Sequence, residues 1–186
     1  MSSRRTFAHE AARGVAAAWL TASWADVAAA FAQPTGVFQV LSPAEARDLE
    51  AMASQIIPTD DTPGAREAGV IHFMDKALAT FAADQLPLVR QGLTRLRGRI
   101  ARRWRGGVTF ATLRGADQIA ILKRLERDDA PFFEVVRTAT VMGMFANPAR
   151  GGNRGKIGWR LLGFEDRFVW QPPFGDYDQL RPTGGR

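Results

Sequence analysis

Asp60 and Asp61 are neighbouring carboxylates, and His72 is the first imidazole downstream of them, so acid–base chemistry is the first reaction class to weigh. Paired carboxylates hydrolyse glycosides when they face one sugar ring from opposite sides, roughly 5–9 Å apart. Adjacent acids in Thr59-Asp60-Asp61-Thr62-Pro63-Gly64 are explained more simply as hydrogen-bonding residues of a turn. The only other histidine is His9, and the chain has no cysteine. That removes disulfides, thiolate zinc, iron–sulfur clusters, covalent haem attachment and a cysteine nucleophile, and one further histidine does not make a zinc site. His72 lies between Ile71 and Phe73 on a helical pattern, where a core-edge histidine is the ordinary finding, and no G-x-S-x-G elbow supplies a serine for it to activate.

Gly151-Gly152-Asn153-Arg154-Gly155-Lys156-Ile157 invites comparison with a phosphate-binding loop. It fails at both ends. Arg150 stands where the first glycine is required, and Ile157 replaces the hydroxyl residue that would hold magnesium. No G-x-G-x-x-G follows a strand pattern either. These glycines mark backbone that turns sharply or approaches another surface closely.

The elements around these residues read as helices. Ser42-Pro43-Ala44-Glu45 is a helix start, with a capping serine, proline in the first turn and Glu45 closing a capping box. Leu49, Met52, Ala53 and Ile56 follow at helical spacing, and Pro58 ends the run. A second helix is expected over about 68–81, with Val70, Phe73, Met74, Ala77 and Phe81 on one face. A third spans about 87–104 through Leu93, Leu96, Ile100 and Trp104, a fourth about 113–125 through Ile119, Ile121 and Leu122. A fifth starts at Pro131 and carries Phe132, Val136, Thr140, Val141 and Met144. Residues 146–186 show no sustained period, yet hold Trp159, Phe164 and Trp170, which makes them too aromatic for a plain disordered tail. The expected fold is all-α: a small helical bundle over 33–145 with a long irregular C-terminal extension over 146–186. No stretch of 18 uncharged apolar residues argues for a membrane span.

The net charge is +6, and only three of the 25 basic side chains are lysines. Arg90, Arg95, Arg97, Arg99, Arg102, Arg103 and Arg105 gather along the third helix, interrupted by Leu93, Leu96 and Ile100. A solvated face, an acidic partner and nucleic acid are all compatible with such a run.

The first 32 residues have the three parts of an export signal. Ser3-Arg4-Arg5-Thr6-Phe7 resembles the twin-arginine motif, a weakly apolar stretch covers 15–25, and Ala30-Phe31-Ala32 forms an A-x-A cleavage site before Gln33. An N-terminal amphipathic helix is the competing reading. The twin-arginine route carries folded proteins, so a small chain with no cofactor chemistry of its own is expected to travel with a passenger loaded in the cytoplasm. Export makes nucleic acid an unexpected partner.

Two blocks carry a family likeness. The first is Leu41-Ser42-Pro43 through Ile56-Ile57-Pro58-Thr59-Asp60, then Pro63-Gly64-Ala65-Arg66-Glu67-Ala68-Gly69-Val70 and Phe73-Met74-Asp75. The second is Gly143-Met144-Phe145-Ala146-Asn147-Pro148, Gly151-Gly152-Asn153, and Gly158-Trp159-Arg160-Leu161-Leu162-Gly163-Phe164. In these blocks the chain resembles the gluconate 2-dehydrogenase subunit 3 family, departing from it at Asn147-Pro148, where Asp-Pro is usual, and at Ala149-Arg150, which lacks an aromatic residue before the glycine pair. The resemblance implies a partner rather than a reaction. Such small subunits accompany a large FAD-containing dehydrogenase of the glucose–methanol–choline type, often with a multihaem cytochrome c at the membrane, and the large subunit commonly leaves the cytoplasm with the small one.

The resemblance therefore implies a non-catalytic periplasmic subunit with no cofactor or metal of its own, reaching the membrane only through its complex. Trp159, Phe164 and Trp170 are then the expected partner anchors, and Asn147, Gly151, Gly152 and Asn153 shape the loop that presents them. Two other readings stay open: a free-standing exported enzyme using Asp60, Asp61 and His72, and a module that binds anionic sugars through the arginines.

Overall fold

The computed structural model describes residues 38–166. The expected leader residues Arg4, Arg5, Phe7, Ala30 and Ala32, and the expected anchor Trp170, lie outside the described residues. Within them the chain is all-α, with six helices and no strand: α1 (Pro43–Ile56), α2 (Val70–Ala79), α3 (Leu86–Arg103), α4 (Gly115–Asp128), α5 (Ala130–Phe145) and α6 (Ile157–Leu161). None of these is long and apolar enough to cross a membrane. Four short 3-10 turns fill the connections, at Ala83–Gln85, Phe110–Thr112, Pro148–Arg150 and Arg154–Lys156.

The start of α1 is set locally. Ser42 Oγ accepts the Glu45 N–H at 3.3 Å, and the Glu45 carboxylate accepts the Ser42 N–H at 2.8 Å, so two donors of the first turn are satisfied reciprocally. Such a cap stabilises a helix start by about 1 kcal/mol.

Helix α5 is the centre of the fold, and α1, α2, α3, α4 and α6 all pack on it. Its sequence explains the position: Phe132, Phe133, Val135, Val136, Ala139, Thr140, Gly143 and Met144 are buried, which covers most of its circumference rather than one stripe. Thr140 is tolerated there because its hydroxyl donates to the Val136 carbonyl at 2.7 Å. Helix α3 comes closest at Gly92, where any Cβ would fall on the Phe132 ring. Ile119 and Val141, expected on inward faces, are exposed. The buried stripe of α4 runs through Gln118, Leu122 and Leu125, at i, i+4 and i+7, and Ile119 sits one residue, about 100° of arc, off it.

Buried polar groups bind the helices to one another. Asp48 on α1 accepts from Arg97 Nε at 2.9 Å and from the Ala111 N–H at 3.2 Å, tying α1 to α3 and to the turn before α4. Gln118 donates to the Phe110 carbonyl at 2.8 Å and accepts from Gln55 at 2.7 Å. Asp75 on α2 is 3% exposed and accepts three consecutive backbone donors, Gln39 N–H at 2.7 Å, Val40 N–H at 3.1 Å and Leu41 N–H at 3.0 Å. The segment leading into α1 is therefore fastened to α2 by a carboxylate in a nest of N–H groups.

The segment after α5 is less irregular than its sequence suggests. Two 3-10 turns and α6 occupy it up to residue 161. At five residues α6 is too short to show a period and too short to be stable alone, so its order comes from contact with α5.

Candidate functional site

The segment over residues 146–166 begins by finishing off the C-terminal end of α5. The last carbonyls of a helix have no partner within it, and here later residues supply them. Asn153 N–H donates to the Gly143 carbonyl at 2.8 Å, Asn153 Nδ2 to the Ala146 carbonyl at 2.9 Å, and Trp159 Nε1 to the Phe145 carbonyl at 2.8 Å.

Asn153 is the keystone. It is fully buried, sits at φ 46°, where asparagine is among the few tolerated side chains, and its Oδ1 accepts the Gly158 N–H at 2.8 Å. Gly152 lies flat on α5, so that a Cβ there would strike the Gly143 carbonyl. Gly151 is buried with φ 97°, and the exposed Asn147 accepts the Ala149 N–H at 3.0 Å to start the turn. Gly151, Gly152 and Asn153 are thus buried, face this chain's own helices and shape the loop from inside.

Among charged residues, this scaffold also presents apolar side chains outward. Leu161, Leu162 and Phe164 are 41%, 65% and 46% exposed. Trp159 is half-buried, and the Phe164 ring meets it edge-on, centroids 5.2 Å apart at 65°. Phe145, Trp159, Leu162, Gly163 and Phe164 line an open groove of about 410 Å³. The Phe164 N–H donates to the Trp159 carbonyl at 2.8 Å, and Lys156 pairs with Asp166 at 2.6 Å, so the tip folds back on α6. Of the expected anchors, Trp159 and Phe164 are brought together here. Leu161 and Leu162, legible in the sequence only as part of the family block, join them at the surface.

The acid–base residues are not assembled. Asp60 accepts the Thr62 N–H at 2.8 Å and the Thr62 hydroxyl at 2.9 Å, bonds that hold its carboxyl below the usual range, and both Asp60 and Asp61 are exposed turn residues. His72 is half-buried under the Phe38 ring, centroids 5.5 Å apart. Burial first, and then the Arg154 charge, push its pKa down, while the carboxylates that pull the other way are Asp75 and Glu50 rather than the Asp60–Asp61 turn. Among the described residues no three of His, Asp and Glu group closely enough to hold a metal ion.

The arginines of α3 divide into two sets. Arg90, Arg95 and Arg97 pair with Glu45, Asp129 and Asp48 of this chain at 3.4, 2.8 and 2.9 Å. Arg99 and Arg103 instead line a cleft between α3 and α4, together with Arg124, Trp104, Asp117 and Ile121.

No curated protein and no solved structure gives a significant match to this chain. The family model described as gluconate 2-dehydrogenase subunit 3 matches residues 43–166, from the first residue of α1 to the end of the described C-terminal segment. Helices α1–α6 and the Asn153-centred segment are all inside that match, and the chain belongs to the gluconate 2-dehydrogenase subunit 3 family.

Proposed function

We propose that this chain is the non-catalytic small subunit of an exported dehydrogenase complex that oxidises a sugar or sugar acid. In this reading it holds an FAD-containing catalytic subunit of the glucose–methanol–choline type and takes it through the twin-arginine route to the periplasm. A multihaem cytochrome c subunit would complete the complex at the inner membrane.

The observation that carries the reading is the exposed apolar surface of Leu161, Leu162 and Phe164 beside the half-buried Trp159, in a chain of a family named for a dehydrogenase subunit. Buried asparagine chemistry and an α-helix end are spent on displaying those side chains, and apolar side chains set together in water are what a partner's surface covers. The separation of Asp60 and Asp61 from the charges that act on His72 gives the free-standing enzyme no support.

A tagged full chain, recovered from periplasmic and membrane extracts of its native host, tests this directly. A flavin absorbance in the purified material, and dye-linked oxidation of a sugar or sugar acid by it, are the expected results. A colourless chain that elutes alone under mild conditions would overturn the proposal.

A further inference from the structure

The cleft between α3 and α4 has an apolar floor and a basic rim. Its volume is about 170 Å³, and its lining combines the buried Leu96 and Ile100 and the half-buried Ile121 with the exposed Arg99, Arg103 and Arg124. Arg103 lies over the Trp104 ring, 5.0 Å from its centroid, and this contact orients it at the cleft edge.

Two observations bear on this cleft, and its convergence of arginines from two helices is what separates it from Arg102, Arg105 and Arg127, which equally have no ion pair among the described residues. The preceding arginines of the same helix, Arg90, Arg95 and Arg97, each find a carboxylate within the chain, whereas no ion pair engages Arg99, Arg103 or Arg124 among the described residues. In addition, Arg124 comes from a different helix, so neutralising the carbonyl end of α3 does not account for the cluster. The single acid on the lining, Asp117, leaves the cleft positive.

Size chooses between kinds of anion. Enclosed sites for small molecules are commonly about 300–1,000 Å³ and surround most of the ligand. This cleft is smaller and lies open along two helices, which suits one apolar side chain flanked by carboxylates on an extended polypeptide.

We propose that the α3–α4 cleft docks an acidic segment of the partner polypeptide, its carboxylates on Arg99, Arg103 and Arg124 and an apolar side chain against Ile121 and Trp104. This rests on the subunit reading for the identity of the partner. It adds a second, electrostatic contact to the apolar one at the C-terminal segment, the kind of contact that governs approach and orientation.

The test compares the full wild-type chain with two triple variants of equal charge loss, Arg99→Gln/Arg103→Gln/Arg124→Gln in the cleft and Arg102→Gln/Arg105→Gln/Arg127→Gln outside it. Labelled poly-L-glutamate is titrated onto each at about 0.05 M and about 0.5 M sodium chloride. Circular dichroism establishes that all three are folded. The cleft variant is expected to bind poly-L-glutamate at least about tenfold more weakly at low salt, and the outside variant within about twofold of wild type.

Equal losses in both variants would mean diffuse attraction and overturn the proposal. So would cleft-dependent binding of inorganic phosphate, phosphatidylglycerol vesicles or duplex DNA with poly-L-glutamate unaffected. Retention of the flavoprotein by the same three tagged chains is the second arm. Capture by wild type that weakens in the cleft variant supports the proposal, and equal capture by all three overturns it. Absence of any flavoprotein on the wild-type chain would count against the subunit reading alone, and the poly-L-glutamate contrast would still decide the cleft.

Discussion

The five-helix bundle and the segment after it follow opposite rules. In the bundle, apolar side chains turn inward around α5, and Phe73, Phe110 and Phe132 are at most 1% exposed. In residues 146–166 a polar side chain, Asn153, is the fully buried one, while Leu161, Leu162 and Phe164 stand in solvent. Asn153 stabilises the segment from inside, but the exposed leucines and Phe164 gain nothing from solvent. In the proposed subunit reading, this inversion marks the surface whose burial a partner completes.

The comparison can be broken from either side, and the largest effect is expected from the bundle. Phe132→Ala removes the ring on which α3 rests at Gly92, and it should destabilise the fold by about 3–5 kcal/mol, seen as a lower midpoint in urea unfolding. Asn153→Ala comes next. It leaves the Ala146 carbonyl and the Gly158 N–H without their partners and puts alanine at a positive φ, at a cost of about 2–4 kcal/mol. Because that loss falls on the segment, hydrogen exchange should show residues 153–164 opening while α1–α5 stay protected.

Asp75→Asn should cost about 2 kcal/mol by weakening the nest of N–H groups at residues 39–41. The readout is thermal unfolding together with faster exchange of those three amides.

The smallest effect is that of pH. The His72 pKa is depressed below its ordinary 6.5, so the unfolded chain takes up a proton that the folded chain refuses. Stability therefore falls as the pH drops below about 6.5, and goes on falling until the folded imidazole is itself protonated. Asp60 and Glu67, held low by hydrogen bonds from Thr62 and from Thr59, titrate further down, below the window from about pH 7 to about pH 5 in which His72 acts. His72→Gln should give a shallower fall of Tm across that window.

Much of the bundle was legible in the sequence because its signals are local. The Ser42–Glu45 cap, Pro58 and the apolar spacing of residues 70–77 and 93–100 each act within a few residues. The ties that fix the helices relative to one another were not legible, since Asp48, Asp75 and Gln118 look like surface residues until partners from distant parts of the chain arrive. Helix α6 was missed for the same reason. Its five residues carry no period, and its order depends on carbonyls of α5 that Asn153 and Trp159 reach. Within the site, Trp159 and Phe164 could be picked out by type, whereas Leu161 and Leu162 could be recognised only by their exposure.

The most direct measurement is capture of the flavoprotein by a tagged full chain carrying Leu162→Asp and Phe164→Asp. Leu162 is largely exposed and Phe164 gives up its edge contact with Trp159, so the variant should stay folded with a loss of about 1–2 kcal/mol in stability. Losing two central apolar contacts should weaken capture by about 100-fold or more. A folded double variant that retains the flavoprotein as wild type does would contradict the assignment of this surface to the partner.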